Sequence, residues 1–155
     1  MDCKIRLASD GDADAISAVI LRALRETNAK DYASEIIERV ERSFTPTAVL
    51  QLMAGRTVFV AEMAGRLVGT ASLDGSVVRT VFVAPDVHAR GVGRLLMAEI
   101  ERTARERSIA LLTVPSTVTA EGFYARLGFK AVRDSFHGDE RTIIMERPLD
   151  AISAI

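Results

Sequence analysis

The sequence predicts a fold that mixes α and β elements within one domain, residues 1–155. Three observations carry this. Segments with apolar residues at every second position are interspersed with segments whose apolar residues recur every three or four positions. A valine-rich strand pattern, Ser76 to Val83, leads through Pro85 and a glycine-rich turn into an amphipathic helix, Val92 to Arg107. The chain has 155 residues, 48% of them apolar, a length at which a core forms without disulfides or metal.

Each element has its own warrant. Lys4 to Ala8 alternates Ile5 and Leu7 with charged residues, a short strand. Ser9-Asp10-Gly11-Asp12 is a turn in which Asp10 or Asp12 can cap the next helix. Ala13 to Thr27 places Ile16, Val19, Ile20, Ala23 and Leu24 on one helical face. Tyr32 to Phe44 reads as a second helix with Ile36, Ile37 and Val40 inward, broken by Pro46, and Thr47 to Ala54 as a third. Thr57 to Met63 and Leu67 to Leu73 are strands joined at Ala64-Gly65-Arg66, and Asp74-Gly75 turns the chain into Ser76 to Val83. That strand is apolar on both faces at its end, which suits the centre of a sheet. In the Val92 helix, Val92, Leu96, Ile100 and Thr103 form the inner stripe, and Glu101 and Arg105 are spaced to pair outside. Ile109 to Val114 is a buried strand that Pro115 is expected to stop. Ala120 to Leu127 is a short helix ended by Gly128. Phe129 to Arg133 and Thr142 to Glu146 close the pattern, with a polar loop, Asp134 to Arg141, between them.

Several function classes are excluded at this level. The net charge of −1 gives no general attraction to nucleic acid or to anionic membranes. No apolar run reaches 18 residues, and the first residues lack the features of a signal peptide, so a cytoplasmic protein is expected. Cys3 alone cannot build a disulfide framework, and with no base near it in sequence it reads as an incidental thiol. One cysteine and two distant histidines do not make a zinc site, and no metal is expected.

The informative segment is Val81-Phe82-Val83-Ala84-Pro85-Asp86-Val87-His88-Ala89-Arg90-Gly91-Val92-Gly93-Arg94. The first amides of a helix have no internal acceptors and, with the helix dipole, favour an anion. Glycines at 91 and 93 let a phosphate approach the backbone, and Arg90 and Arg94 add positive charge. The segment is neither a P-loop nor a dinucleotide fingerprint, because no Gly-Lys-Ser/Thr follows and position 96 is leucine. Alone, it reads equally well as a plain strand-to-helix turn. A second constellation, Thr117-Val118-Thr119-Ala120-Glu121-Gly122-Phe123-Tyr124-Ala125-Arg126-Leu127-Gly128-Phe129, carries a tyrosine whose phenol can donate a proton. Alone, Phe123 and Tyr124 read as core aromatics.

Together the two segments resemble the GNAT family of N-acetyltransferases. Gly91 and Gly93 match the glycines of the family's Gln/Arg-x-x-Gly-x-Gly/Ala loop, with His88 where glutamine or arginine is usual. Ala120, Phe123, Tyr124, Gly128 and Phe129 match Asn-x-x-Ala-x-x-Phe-Tyr-x-x-x-Gly-Phe, with Thr117 at the asparagine position. The resemblance runs from about Lys4 to Leu149. It implies an α/β (α+β) fold with a central mixed, mostly antiparallel sheet flanked by helices. It also implies acetyl-CoA as co-substrate, a small-molecule or peptide amine as acceptor, and direct transfer with no covalent enzyme intermediate. The main chain of Val81, Phe82 and Val83 would pair with the pantetheine arm. His88, Ala89, Arg90, Gly91, Val92, Gly93 and Arg94 would hold the diphosphate, Thr117 would contact the coenzyme, and Tyr124 would protonate the leaving thiolate. The coenzyme cleft would lie between Val81 to Val83 and Ile109 to Val114. Domains of this kind are often dimers, so a homodimer is compatible with the resemblance. The family's glutamate base falls by spacing on Val77 or Leu112, both apolar. Glu62, Asp74, Glu121 and His137 stand as substitutes. A non-catalytic acyl-CoA-binding module is the alternative reading.

Overall fold

The structure, a computed structural model, describes residues 2–149. One sheet of seven strands organises it. The strands are β1 (Cys3–Leu7), β2 (Thr57–Met63), β3 (Arg66–Asp74), β4 (Val77–Val83), β5 (Leu111–Thr117), β6 (Lys130–His137) and β7 (Glu140–Pro148). Their order in the sheet is β1-β2-β3-β4-β5-β7-β6. Every neighbouring pair is antiparallel except β4 and β5, which are parallel. The expected mixed, mostly antiparallel sheet is therefore present, and β4 occupies its centre.

The helices are α1 (Ala13–Glu26), α2 (Ser34–Glu41), α3 (Pro46–Gly55), α4 (Val92–Glu106) and α5 (Glu121–Arg126). They divide the core in two. On one sheet face, α4 buries Val92, Leu96, Met97 and Ile100 against Val68, Ala71, Val78 and Leu112, and α5 adds Tyr124 to the same cluster. On the other face, Ile16, Ile20 and Leu24 of α1 pack with Ile37, Val49 and Val60. Burial of this apolar area supplies the main drive to fold.

Local chemistry sets the boundaries. Asp12 accepts from the Ser9 amide at 2.7 Å and, with both carboxylate oxygens, from Arg6 at 2.8 and 2.9 Å. Arg6 also donates to Glu62, which ties β1 to β2. The Arg6 guanidinium holds the Asp12 carboxyl at about 2, well below its ordinary 3.8. Pro46 does more than break a helix. It is the first residue of α3, where its missing N–H costs nothing, and Thr45 caps that helix by accepting from the Ala48 amide at 3.3 Å. The second predicted helix is shorter than expected: α2 spans Ser34–Glu41 and a single 3₁₀ turn, Arg42–Phe44, completes the segment.

Two expectations fail. Pro115 does not stop β5; it lies inside it, opposite Ile144 of β7. The Thr113 amide points toward β4, donating to the Ser76 carbonyl at 3.1 Å. By strand alternation the nitrogen of Pro115 faces the same way, where no strand is paired, so its missing donor costs no ladder bond. The segment 134–141 is not a loop either. It is the tip of a hairpin in which Asp134 to His137 pair with Ile143 to Glu140. This edge strand is exposed almost throughout, so it has no apolar alternation to betray it.

Candidate active site

The central feature is a gap in the sheet. β4 and β5 are paired only at Val77 and Thr113 and then diverge. The cause lies in β4. Its register against β3 shifts between Phe82, opposite Thr70, and Arg79, opposite Ser72, leaving an extra residue in β4. Thr80 sits in that bulge at φ +56°, a left-handed conformation unusual for a β-branched residue and costing on the order of 1–3 kcal/mol. The bulge bends β4 away from its neighbour. Downstream, the Ala84 amide bonds the Val68 carbonyl of β3 at 2.8 Å, so alternation turns Phe82 toward β3 and the main chains of Val81 and Val83 into the gap. The Val83 carbonyl is already engaged, accepting from Nε2 of His88 at 3.1 Å. His88 thus fastens the turn to the strand end.

At the mouth of the gap lies the turn before α4. Ala89 and Gly91 are both left-handed, at φ +67° and +79°. His88 to Gly91 and Arg94 are exposed, so the turn is open. The Arg90 amide bonds the Val87 carbonyl at 3.3 Å, but the amides of Ala89, Gly91, Val92, Gly93 and Arg94 have no acceptor among the described residues. Unpaired N–H groups gathered at a helix N-terminus are an arrangement that favours an anion. Arg90 and Arg94 make no ion pair among the described residues.

The two glycines have different reasons. At Gly91 a Cβ would meet nothing within 4 Å, and the residue is needed for its positive φ. At Gly93 a Cβ would come within 3.1 Å of the Phe123 ring and 3.7 Å of Val83. The close approach at Gly93 is therefore to α5, and it joins the turn to the tyrosine helix. Phe123 stacks edge-on against Tyr124 at 5.1 Å, and Tyr124 against Phe129 at 5.5 Å. Tyr124 is 4% exposed, and burial pushes its phenol well above the ordinary range. Its hydroxyl has no hydrogen bond among the described residues, yet no occluded side-chain polar atom there is unpartnered. That oxygen consequently keeps a sliver of solvent contact. Thr117 accepts from the Ala120 amide at 3.1 Å and so caps the turn into α5.

On the opposite sheet face the gap opens into a cavity of about 340 Å³. Thr80 and Phe82 of β4 and Pro115 and Thr117 of β5 line it, and Leu24, Ile36, Ile37, Val40 and Phe44 roof it. Its polar groups include Tyr32, Arg56, Arg79 and Glu140, none of which the sequence reading singled out. The Tyr32 hydroxyl accepts from the Val118 amide at 2.7 Å and donates to the Arg141 carbonyl at 2.8 Å. Glu140 pairs with Arg39 of α2 at 3.3 Å.

The suggested bases lie elsewhere. Glu62 pairs with Arg6 between β1 and β2, Asp74 pairs with Arg79 at 3.2 Å, Glu121 opens α5, and His137 sits in the β6–β7 hairpin. None lines the cavity. Val77 is at the closed end of the gap and Leu112 is fully buried. No group of three or more metal-ligating side chains occurs among the described residues, and no helix there is long and apolar enough to cross a membrane.

Comparison with known proteins agrees with this architecture. The uncharacterized N-acetyltransferase YafP of Escherichia coli K12 is 27% identical over 130 residues, 84% of this chain and 83% of that one. A GCN5-related N-acetyltransferase from Rhodopseudomonas palustris superposes with a TM-score of 0.90 at 25% identity, covering 96% of this chain and 97% of that chain. The PaiA N-acetyltransferase of Thermoplasma acidophilum, solved with coenzyme A, gives a TM-score of 0.81 at 20% identity over 96% and 100% of the two chains. The sequence model described as the acetyltransferase (GNAT) domain matches residues 28–144, well over half the chain. With its split β4–β5 pair and glycine turn, this chain belongs to the GNAT acetyltransferase family.

Proposed function

We propose that the chain transfers an acetyl group from acetyl-CoA to an amine held in the cavity behind β4 and β5. The observation that carries this is the run of free amides at 89 and 91 to 94, set at the mouth of a gap that leads to that cavity. The amides and the two flanking arginines hold the diphosphate. The N–H group of Val81 pairs with the pantetheine arm; the Val83 carbonyl, held by His88, does not. Coenzyme A in the Thermoplasma relative supports the fit.

When bound, acetyl-CoA supplies the thioester that the amine attacks. The amine nitrogen forms a bond to the acyl carbon, the carbon–sulfur bond breaks, and the electron pair leaves with sulfur. Tyr124 donates its proton to that sulfur; because burial keeps the phenol neutral, the donor is present throughout the physiological range. The Val83 N–H, kept clear of the pantetheine arm, stabilises the oxyanion. An alkylamine near pKa 10.4 arrives as an ammonium and must lose two protons, one before it attacks and one as the amide forms. Glu140, the carboxylate that lines the cavity, accepts the first through water; one of the two returns to the phenol by way of solvent and the other is released.

The test is acetyl-CoA-dependent thiol release over a panel of amines. Tyr124→Phe is expected to lower kcat by about 10²–10⁴-fold with coenzyme affinity retained. Acetyl-CoA binding with no acceptor-dependent release, and no effect of Tyr124→Phe, would mark a non-catalytic binding module instead.

A further inference from the structure

The cavity is electrically lopsided. Arg56, just before β2, and Arg79 of β4 both line it on the β4 side. They share one carboxylate, Asp74, which lies 3.2 Å from Nε of Arg79 and 4.0 Å from Nε of Arg56. The second distance is too long for a hydrogen bond. The Arg56 side chain is only 17% exposed and makes one hydrogen bond, from Nη1 to the Thr80 hydroxyl at 3.1 Å. Of five guanidinium donors, the rest are unused among the described residues. Burial and the neighbouring Arg79 both act against its charge. On the β7 side, Glu140 is the cavity's carboxylate, and Arg39 shares its charge.

A partly desolvated, under-bonded guanidinium beside a second one is costly unless an anion completes it. A planar carboxylate suits such a pair. A polycation would meet two like charges there, and the apolar roof offers it nothing. The volume is at the small end for ligand pockets, which suits a small molecule.

We infer that the acceptor is a small amine that also carries a carboxylate and an apolar side chain, the carboxylate being held by Arg56 and Arg79 and the amine turned toward the gap between β4 and β5. This rests on the acetyltransferase reading and names its substrate class. It makes Arg56 and Arg79 specificity residues that touch the acceptor and leave the coenzyme alone.

The experiment compares free apolar amino acids with their amides and with spermidine, by thiol release from acetyl-CoA. Coenzyme binding is followed separately by calorimetry, and folding by thermal melts. The free acids are expected to exceed their amides at least tenfold in kcat/KM, with spermidine inert. Arg79→Gln, at the more exposed of the two positions, and Arg56→Lys should raise KM for the acid about tenfold or more, leave coenzyme affinity unchanged and erase the preference over the amide. A second readout needs no turnover: apolar carboxylates such as N-acetyl-leucine should raise the melting temperature of the wild type and not of Arg79→Gln. Equal use of acids and amides, or preference for spermidine, overturns this inference and leaves the acetyltransferase reading standing. Absence of coenzyme binding overturns that reading, and absence of any carboxylate-dependent thermal shift then overturns this one too.

Discussion

Replacing Gly93 by alanine tests whether the turn before α4 and the tyrosine helix are mechanically joined. The added methyl would lie 3.1 Å from two carbons of the Phe123 ring. An ordinary carbon contact is about 3.5–4.0 Å, so the ring must yield by roughly half an ångström. Two effects oppose each other. Removing a helical glycine gains up to about 1 kcal/mol. Overpacking a fitted contact costs about 1–3 kcal/mol. The net expectation is a loss of about 0–2 kcal/mol. The larger consequence is kinetic, because Phe123 stacks on Tyr124 at 5.1 Å and carries the displacement to the phenol. If a 1 Å misplacement costs about 10²-fold, half of that costs about tenfold in kcat. Gly91→Ala is the contrast. Its methyl meets nothing, and its positive φ costs about 1–2 kcal/mol of stability. It should lower the melting temperature while leaving kcat within about twofold, since no contact leads from it to the tyrosine. Steady-state thiol release and thermal melts measure both. A Gly93→Ala protein that is more stable by about 1 kcal/mol with unchanged kcat would refute the reasoning.

Other perturbations bear on separate parts of the account. Asp12, held at about 2 by Arg6, contributes stability that is complete above its ordinary 3.8 and is lost as the pH falls toward 2; Asp12→Asn should cost about 2 kcal/mol at neutral pH and flatten the acid limb of the stability curve. Tyr32→Phe removes bonds to Val118 and Arg141 and should cost about 1–2 kcal/mol in chemical denaturation. Thr80→Gly and Thr80→Val both lose the Arg56 bond, but only the glycine relieves the strained φ, so the glycine variant should be the more stable by about 1–2 kcal/mol.

Much of the fold was legible because most elements carry a clean period. The α1 face of Ile16, Val19, Ile20, Ala23 and Leu24 is buried throughout, as its spacing required. The failures have physical reasons. Pro115 reads as a terminator because a sequence does not show that β5 is unpaired on its β4 side at this position. Segment 134–141 reads as a loop because an edge strand exposed on both faces has no alternation to display. Glycines and a following amphipathic helix made the free amides of the α4 turn visible in advance. The reason for Gly93 was not visible, since Phe123 lies 30 positions away. Tyr32, Arg56, Arg79 and Glu140 come from four separate segments that only the folded chain assembles, and no local motif contains them. His88 departs from the family's loop pattern, and its ring bonds the Val83 carbonyl instead.

Amide chemical shifts on titration with coenzyme A test the central claim most directly. The resonances of Ala89, Gly91, Val92, Gly93 and Arg94 should move strongly and saturate together, with that of Arg90 moving less because its hydrogen already serves Val87. Coenzyme binding that leaves those five resonances in place, with the changes clustered on another part of the surface, would contradict the account.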